Sequence, residues 1–205
     1  HFDAQPERFV LSCSQLSNGH GAQLTVELHD THGALLYRGR ASMAPRDAAS
    51  TAPAPSPNPT LDDWGGAAIY GDVLFHSDAF QVIRELHGVG PEGIDGTLAG
   101  VHEAGWVWER WLTDVAALDG GLQLVLLWAR DQLGGAALPM GIKDLRLHGA
   151  LPEGPVRCIA RCGAKGSQRG TADIAFLDAD GRRFAELRGV ELILRPDVAA
   201  PAARA

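Results

Sequence analysis

The chain has 205 residues and a mass of 21.7 kDa, with 45% apolar residues, 21% charged residues and a mean hydropathy near zero. A chain of that size buries a core without disulfides or metal, so disorder along its whole length is excluded. The formal charge of -7 argues against a nucleic-acid partner, which needs a positive footprint. No run approaches the roughly 18 apolar residues of a membrane span, and no basic, apolar leader with a small-residue cleavage site opens the sequence. Three cysteines do not suit a disulfide framework, and they point to a reducing, cytoplasmic setting.

In chain order, Arg8 to Gln15, Ala22 to His29 and Leu35 to Met43 read as strands broken by Asn18-Gly19 and by Asp30 to Gly33. In the middle run Leu24, Val26 and Leu28 alternate with Thr25, Glu27 and His29, the period of a half-buried strand. Residues 44–60 then carry five prolines (45, 53, 55, 57 and 59) with almost nothing to pack, the composition of an extended linker. Beyond it, Phe80, Ile83 and Leu86 have the spacing of a short helix. Residues 93–110 suggest a turn into strands that ends in Trp106, Trp108 and Trp111. A long helix follows, capped by Thr113 or Asp114, with Leu118, Leu122, Val125 or Leu126, Ala129 and Leu133 on its apolar face and Gly134-Gly135 at its end.

Four strands are expected after the helix: Leu138 to His148, Pro155 to Ala164, Thr171 to Leu177 and Arg182 to Leu194. Asp180-Gly181 is a hairpin signal, and Gly189 is placed to reset the apolar face through a bulge. The tail from Pro196 has the composition of a frayed end. One central helix against an antiparallel sheet is an α+β layout.

Chemistry has few places to sit. Asp119 and Gln123 in LDGGLQ are four apart and share a helix face with Leu122 and Leu126. A carboxylic acid among apolar neighbours tends to keep its proton, as a general acid requires, and an amide can orient it without taking that proton. Gly120 and Gly121 weaken the helix and are expected to leave space beside the acid for a substrate chain. The plainer alternative is that Asp119 only favours the positive helix end. His76, Ser77 and Asp78 form a second polar cluster, in which His76 is either a base paired with Asp78 or an ordinary cap. Arg157, Arg161, Lys165 and Arg169 make a local basic patch, either solvated or in contact with an anionic carrier or phosphate. Cys158 and Cys162 face one way on a strand and read as small buried residues rather than a metal pair. No zinc, P-loop, dinucleotide or GxSxG motif is present, and no metal site is expected.

Four stretches, LFHSDAFQVI (74–83), AALDGGLQLVLLWA (116–129), LPMGIKDLRLHG (138–149) and AELRGVELILRP (185–196), resemble the second half of the dehydratase domain of type I polyketide synthases and polyunsaturated fatty-acid synthases. The family's DxxxQ element falls on Asp119 and Gln123. The resemblance implies a double hotdog, in which each long helix is wrapped by a curved antiparallel sheet. Residues 1–43 would be terminal strands of a first, incomplete hotdog, 44–60 a linker, 61–196 the second hotdog and 197–205 a disordered tail. It further implies dehydration of a β-hydroxyacyl thioester presented on the phosphopantetheine arm of an acyl carrier protein, with no cofactor bound directly.

Asp119 would be the acid and Gln123 its partner, while His76, Phe80, Gly120 and Leu122 would border the substrate. Other megasynthase domains, and the missing first hotdog or a second copy, would be further partners. Ser77 and Asp78 replace the family's usual Gly-Pro, and the HxxxGxxxxP histidine of the first hotdog has no counterpart: HDTHG at 29–33 is followed by Arg38 where proline is required. A non-catalytic structural module and a related cyclase or isomerase are therefore the alternatives.

Overall fold

A computed structural model describes residues 8–18, 21–42, 61–65, 68–106, 111–149 and 151–195. The chain divides into two compact units, His1–Ala48 and Ala49–Ala205. The expected linker and tail lie outside the described residues, as does Trp108.

The first unit is an antiparallel meander of β1 (Val10–Asn18), β2 (Gly21–His29) and β3 (Leu35–Ser42) in the order β1-β2-β3. The turn between β2 and β3 is built by Asp30, whose Oδ1 accepts from the N–H groups of His32 and Ala34, both at 2.8 Å. Gly33 supplies the positive φ that this turn requires.

The second unit is a six-stranded antiparallel sheet with one long helix. Its strands are β4 (Ile83–Gly90), β5 (Gly93–Leu98), β6 (Ala137–Leu147), β7 (Val156–Ala164), β8 (Arg169–Leu177) and β9 (Arg183–Leu194), in the order β4-β5-β7-β8-β9-β6. The helix α1 (Val115–Leu133) lies against all six strands. Asp114 caps it, its side chain accepting from Ala117 N–H, and Gly134 ends it in the left-handed conformation. This is the α+β hotdog arrangement that the resemblance implies.

Two expectations are corrected. Phe80, Ile83 and Leu86 do not share a helix: a single 3-10 turn, Asp78–Phe80, is followed two residues later by β4. Val82, Ile83 and Val89 are buried while Arg84, Glu85 and His87 are exposed, and pairing with β5 overrides the three-residue spacing. The helix face is met in part: Val125 and Ala129 are buried as expected, but the centre of the face lies to one side of its leucines. Leu118, Leu122 and Leu126 are only half-buried, whereas Ala117, Gly120, Gly121, Leu124, Val125 and Trp128 are fully covered. A Cβ on Gly121 would lie 2.5 Å from Phe176 Cζ, so the glycines bring the helix backbone down onto the sheet.

The last strands form as their patterning requires. Leu187 pairs with Ile174 and Val190 with Ala172, so Arg188 and Gly189 together oppose Asp173. Gly189 has φ +60°, and its N–H donates to Asp173 Oδ1 at 2.7 Å. The bulge shifts the inward set from Ala185 and Leu187 to Val190 and Leu192.

Candidate active site

Asp119 in the second turn of α1 and Gln123 one turn later stand side by side on one face. Gln123 Nε2 donates to Asp119 Oδ2 at 2.7 Å and to the Phe80 carbonyl at 2.8 Å. Gln123 Oε1 accepts from the Tyr70 hydroxyl at 2.8 Å, and that hydroxyl accepts from Ile83 N–H at 2.8 Å. A buried amide is costly unless its polar atoms are paired, and here a residue only 1% exposed has both ends bonded. Asp119 is half-buried, and one of its oxygens has no hydrogen-bond partner among the described residues. A carboxyl oriented through one oxygen and open at the other can pass a proton to a neighbour.

The remaining predicted residues fall around this network in different ways. Phe80 contributes its backbone carbonyl, while its half-exposed ring packs edge-on against Trp106 with centroids 5.2 Å apart. The Trp106 indole is itself held by the Ala79 carbonyl at 2.8 Å. His76 stacks on Phe75 and leaves a buried Nδ1 without a hydrogen-bond partner among the described residues. His76 and Asp78 do not form a pair; Asp78 Oδ1 accepts instead from Gln81 Nε2, at 3.4 Å. Leu122 packs, half-buried, on the core. Gly120 corrects its expected role. A Cβ there would sit 2.9 Å from Leu98 Cδ1 and from Val82 Cγ2, so this glycine serves helix-to-sheet packing and opens no space beside the acid.

No sequence signal points to Tyr70. It lies in the turn Ile69–Val73, forty-nine positions before Asp119, and no periodicity or motif connects the two. Burial pushes its phenol pKa up, the nearby Asp119 charge adds to that, and the Ile83 N–H acts against it.

The basic patch and the cysteines lie elsewhere. Arg157 is paired with buried Asp95 at 2.8 Å. Arg161 and Lys165 border an open cavity of about 460 Å³ on β6 to β9, together with Lys143, Asp173 and Glu191. Cys158 is in the core and Cys162 packs against it; burial raises both thiols, which keeps them protonated. Among the described residues no group of three or more His, Cys, Asp or Glu is placed to hold a metal, and no helix is long and apolar enough to cross a membrane.

The model of the family described as "Polyketide synthase dehydratase N-terminal domain" matches residues 47–201. No curated protein sequence matches the chain. Among solved structures, the dehydratase domain from the CurJ module of the curacin polyketide synthase has a TM-score of 0.69 at 14% identity, covering 91% of this chain and 68% of that one. The bifunctional dehydratase-cyclase domain of ambruticin biosynthesis has a TM-score of 0.65 at 19% identity, with the same two coverages. The dehydratase domain of PpsC from Mycobacterium tuberculosis has a TM-score of 0.64 at 16% identity, again covering 91% and 68%. At these identities the structures show the fold. The family description names an N-terminal domain, whereas the DxxxQ resemblance points residues 61–196 to the second half of such a domain. With the family match covering residues 47–201, well over half of the chain, and with its hotdog architecture, the chain belongs to the polyketide synthase dehydratase N-terminal domain family.

Proposed function

We propose that this chain supplies the acid half of a dehydratase acting on β-hydroxyacyl thioesters, with residues 61–196 as the second hotdog of a double hotdog. The observation that carries the reading is the Asp119 carboxyl, held through one oxygen by the Gln123 amide and, among the described residues, unbonded at the other. In the reaction a base removes the α-proton, and the C–H electron pair becomes the new C=C bond. The C–O bond breaks as Asp119 gives its proton to the departing hydroxyl, so that water leaves. The thioester acidifies the α-carbon, and one acid–base pair is enough for the elimination. The base is a histidine from the first hotdog, outside the residues that carry the site described above.

The substrate arrives on the phosphopantetheine arm of an acyl carrier protein within a megasynthase. In this reading His76, whose buried Nδ1 has no hydrogen-bond partner among the described residues, serves the thioester end, and Phe80 and Leu122 border the acyl chain. The test uses a protein that includes any chain encoded upstream of His1, given a β-hydroxyacyl pantetheine thioester, with enoyl thioester as the product followed. Turnover that falls about a hundredfold or more in Asp119→Asn is the expected result. If the protein turns over and Asp119→Asn is unaffected, the assignment of the acid is wrong. If neither protein turns over, the non-catalytic module, suggested by the missing HxxxGxxxxP histidine, replaces this reading.

A further inference from the structure

The Gln123 amide could face Asp119 with either its nitrogen or its oxygen, and the two arrangements differ in chemistry. An N–H donor stabilises one carboxyl oxygen as an acceptor and leaves the proton to the other; a carbonyl facing the same oxygen would demand the proton for itself. Two neighbours decide between them. The Phe80 carbonyl can only accept, so it takes an N–H at 2.8 Å. At the opposite end, Ile83 N–H donates into the Tyr70 hydroxyl at 2.8 Å, which leaves the phenolic proton directed to Gln123 Oε1, also at 2.8 Å. The chain of donors therefore runs in one sense: Ile83 N–H to Tyr70, Tyr70 to Gln123, Gln123 to Asp119.

We propose that Tyr70 is a positioning residue for Asp119, acting through Gln123. Without the hydroxyl, Gln123 Oε1 and Ile83 N–H are both left unpaired at a buried position, a combination that costs free energy on each side. The direct relief is for Oε1 to turn toward Ile83 N–H, and that rotation carries Nε2 away from Asp119. Burial keeps the phenol protonated, so the donor is present wherever the carboxyl ionises. The inference rests on Asp119 being the general acid for its catalytic meaning, but the positioning itself can be read without turnover.

The experiment uses the 205-residue chain and nuclear magnetic resonance of the Gln123 side-chain amide, identified by its loss in Gln123→Ala. In the wild type the pair shifts in one step as Asp119 ionises, a step absent from Asp119→Asn. Tyr70→Phe is expected to reduce that step by about half or more and to speed exchange of the amide protons about tenfold. The same change at Tyr37, which is 74% exposed, leaves both unaltered. An undiminished step and unchanged exchange in Tyr70→Phe overturn the proposal.

Should Tyr70→Phe not fold, 3-fluorotyrosine keeps both hydrogen bonds and marks only two residues. The Tyr70 fluorine signal must then follow Asp119 ionisation; a signal as indifferent as that of Tyr37 overturns the proposal equally. In the turnover assay, Tyr70→Phe is expected to lower kcat about tenfold with KM within about twofold. Activity that survives Asp119→Asn would remove the dehydratase reading, while the amide measurements would still decide the role of Tyr70.

Discussion

Asp114 ties the start of the helix to the loop that precedes it, and Asp114→Ala tests how much of the site's rigidity comes from that tie. The carboxylate is fully buried and accepts from Ala117 N–H at 2.8 Å, with Val101 N–H at 3.1 Å from each of its oxygens. Loss of an N-cap costs about 1 kcal/mol. Leaving the buried Val101 N–H unpaired adds about 1–3 kcal/mol. The expected destabilisation is therefore about 2–4 kcal/mol.

Asp114→Asn can keep the Oδ1 acceptor that serves both N–H groups and should cost about 1 kcal/mol or less. Burial raises the Asp114 pKa while the Ala117 and Val101 amides oppose the rise. The folded state thus binds its proton more tightly than the unfolded chain, and the contribution of Asp114 declines as pH rises through the folded value. Asparagine lacks that decline. Urea unfolding followed by tryptophan fluorescence reports on the correct unit, since all five tryptophans lie between Trp64 and Trp128. A cost below about 1 kcal/mol for alanine, or equal costs for alanine and asparagine, would refute the account of the cap.

Two further outcomes follow from the packing and the ion pairs. In Gly121→Ala the new Cβ meets the buried Phe176 ring at 2.5 Å and 2.6 Å. The clash costs about 1–3 kcal/mol, offset by about 1 kcal/mol of helix propensity. Phe176→Leu should relieve part of it in a double-mutant cycle, and an additive cycle would contradict the contact. Glu186 is buried, which alone would raise its pKa, but Arg183 and Arg188, with His148 adding less, hold it below the ordinary carboxylate value of 4.5. Its contribution is therefore complete above 4.5 and is lost as pH falls through the lower folded value. The gap in melting temperature between wild type and Glu186→Gln should narrow over that acid range; a gap independent of pH would exclude this role.

Elements whose pattern is local were legible in the sequence. The strand after Gly134-Gly135, the hairpin at Asp180-Gly181 and the bulge at Gly189 each follow from glycine conformations and a period of two, and each is found. The Asp119–Gln123 pair was legible because four-residue spacing on a helix forces adjacency. What failed depended on distant partners. Phe80, Ile83 and Leu86 imitate a helix, yet pairing with β5 decides the backbone. The Gly120-Gly121 dipeptide suggested open space, yet Leu98, Val82 and Phe176 come from strands and turns far along the chain. Tyr70 belongs to the same class, since its link to Gln123 spans 53 residues and leaves no periodic trace.

The central claim is that Asp119 acts on the leaving hydroxyl and does not merely shape the helix. The most direct measurement compares thioester binding and turnover in wild type and Asp119→Asn, using the protein that includes any upstream chain. Binding of the β-hydroxyacyl pantetheine thioester should stay within about threefold while kcat falls about a hundredfold or more, because asparagine keeps the Gln123 contact but has no proton to give. An equal loss of binding and turnover, or none of either, would contradict the role of Asp119 as the acid.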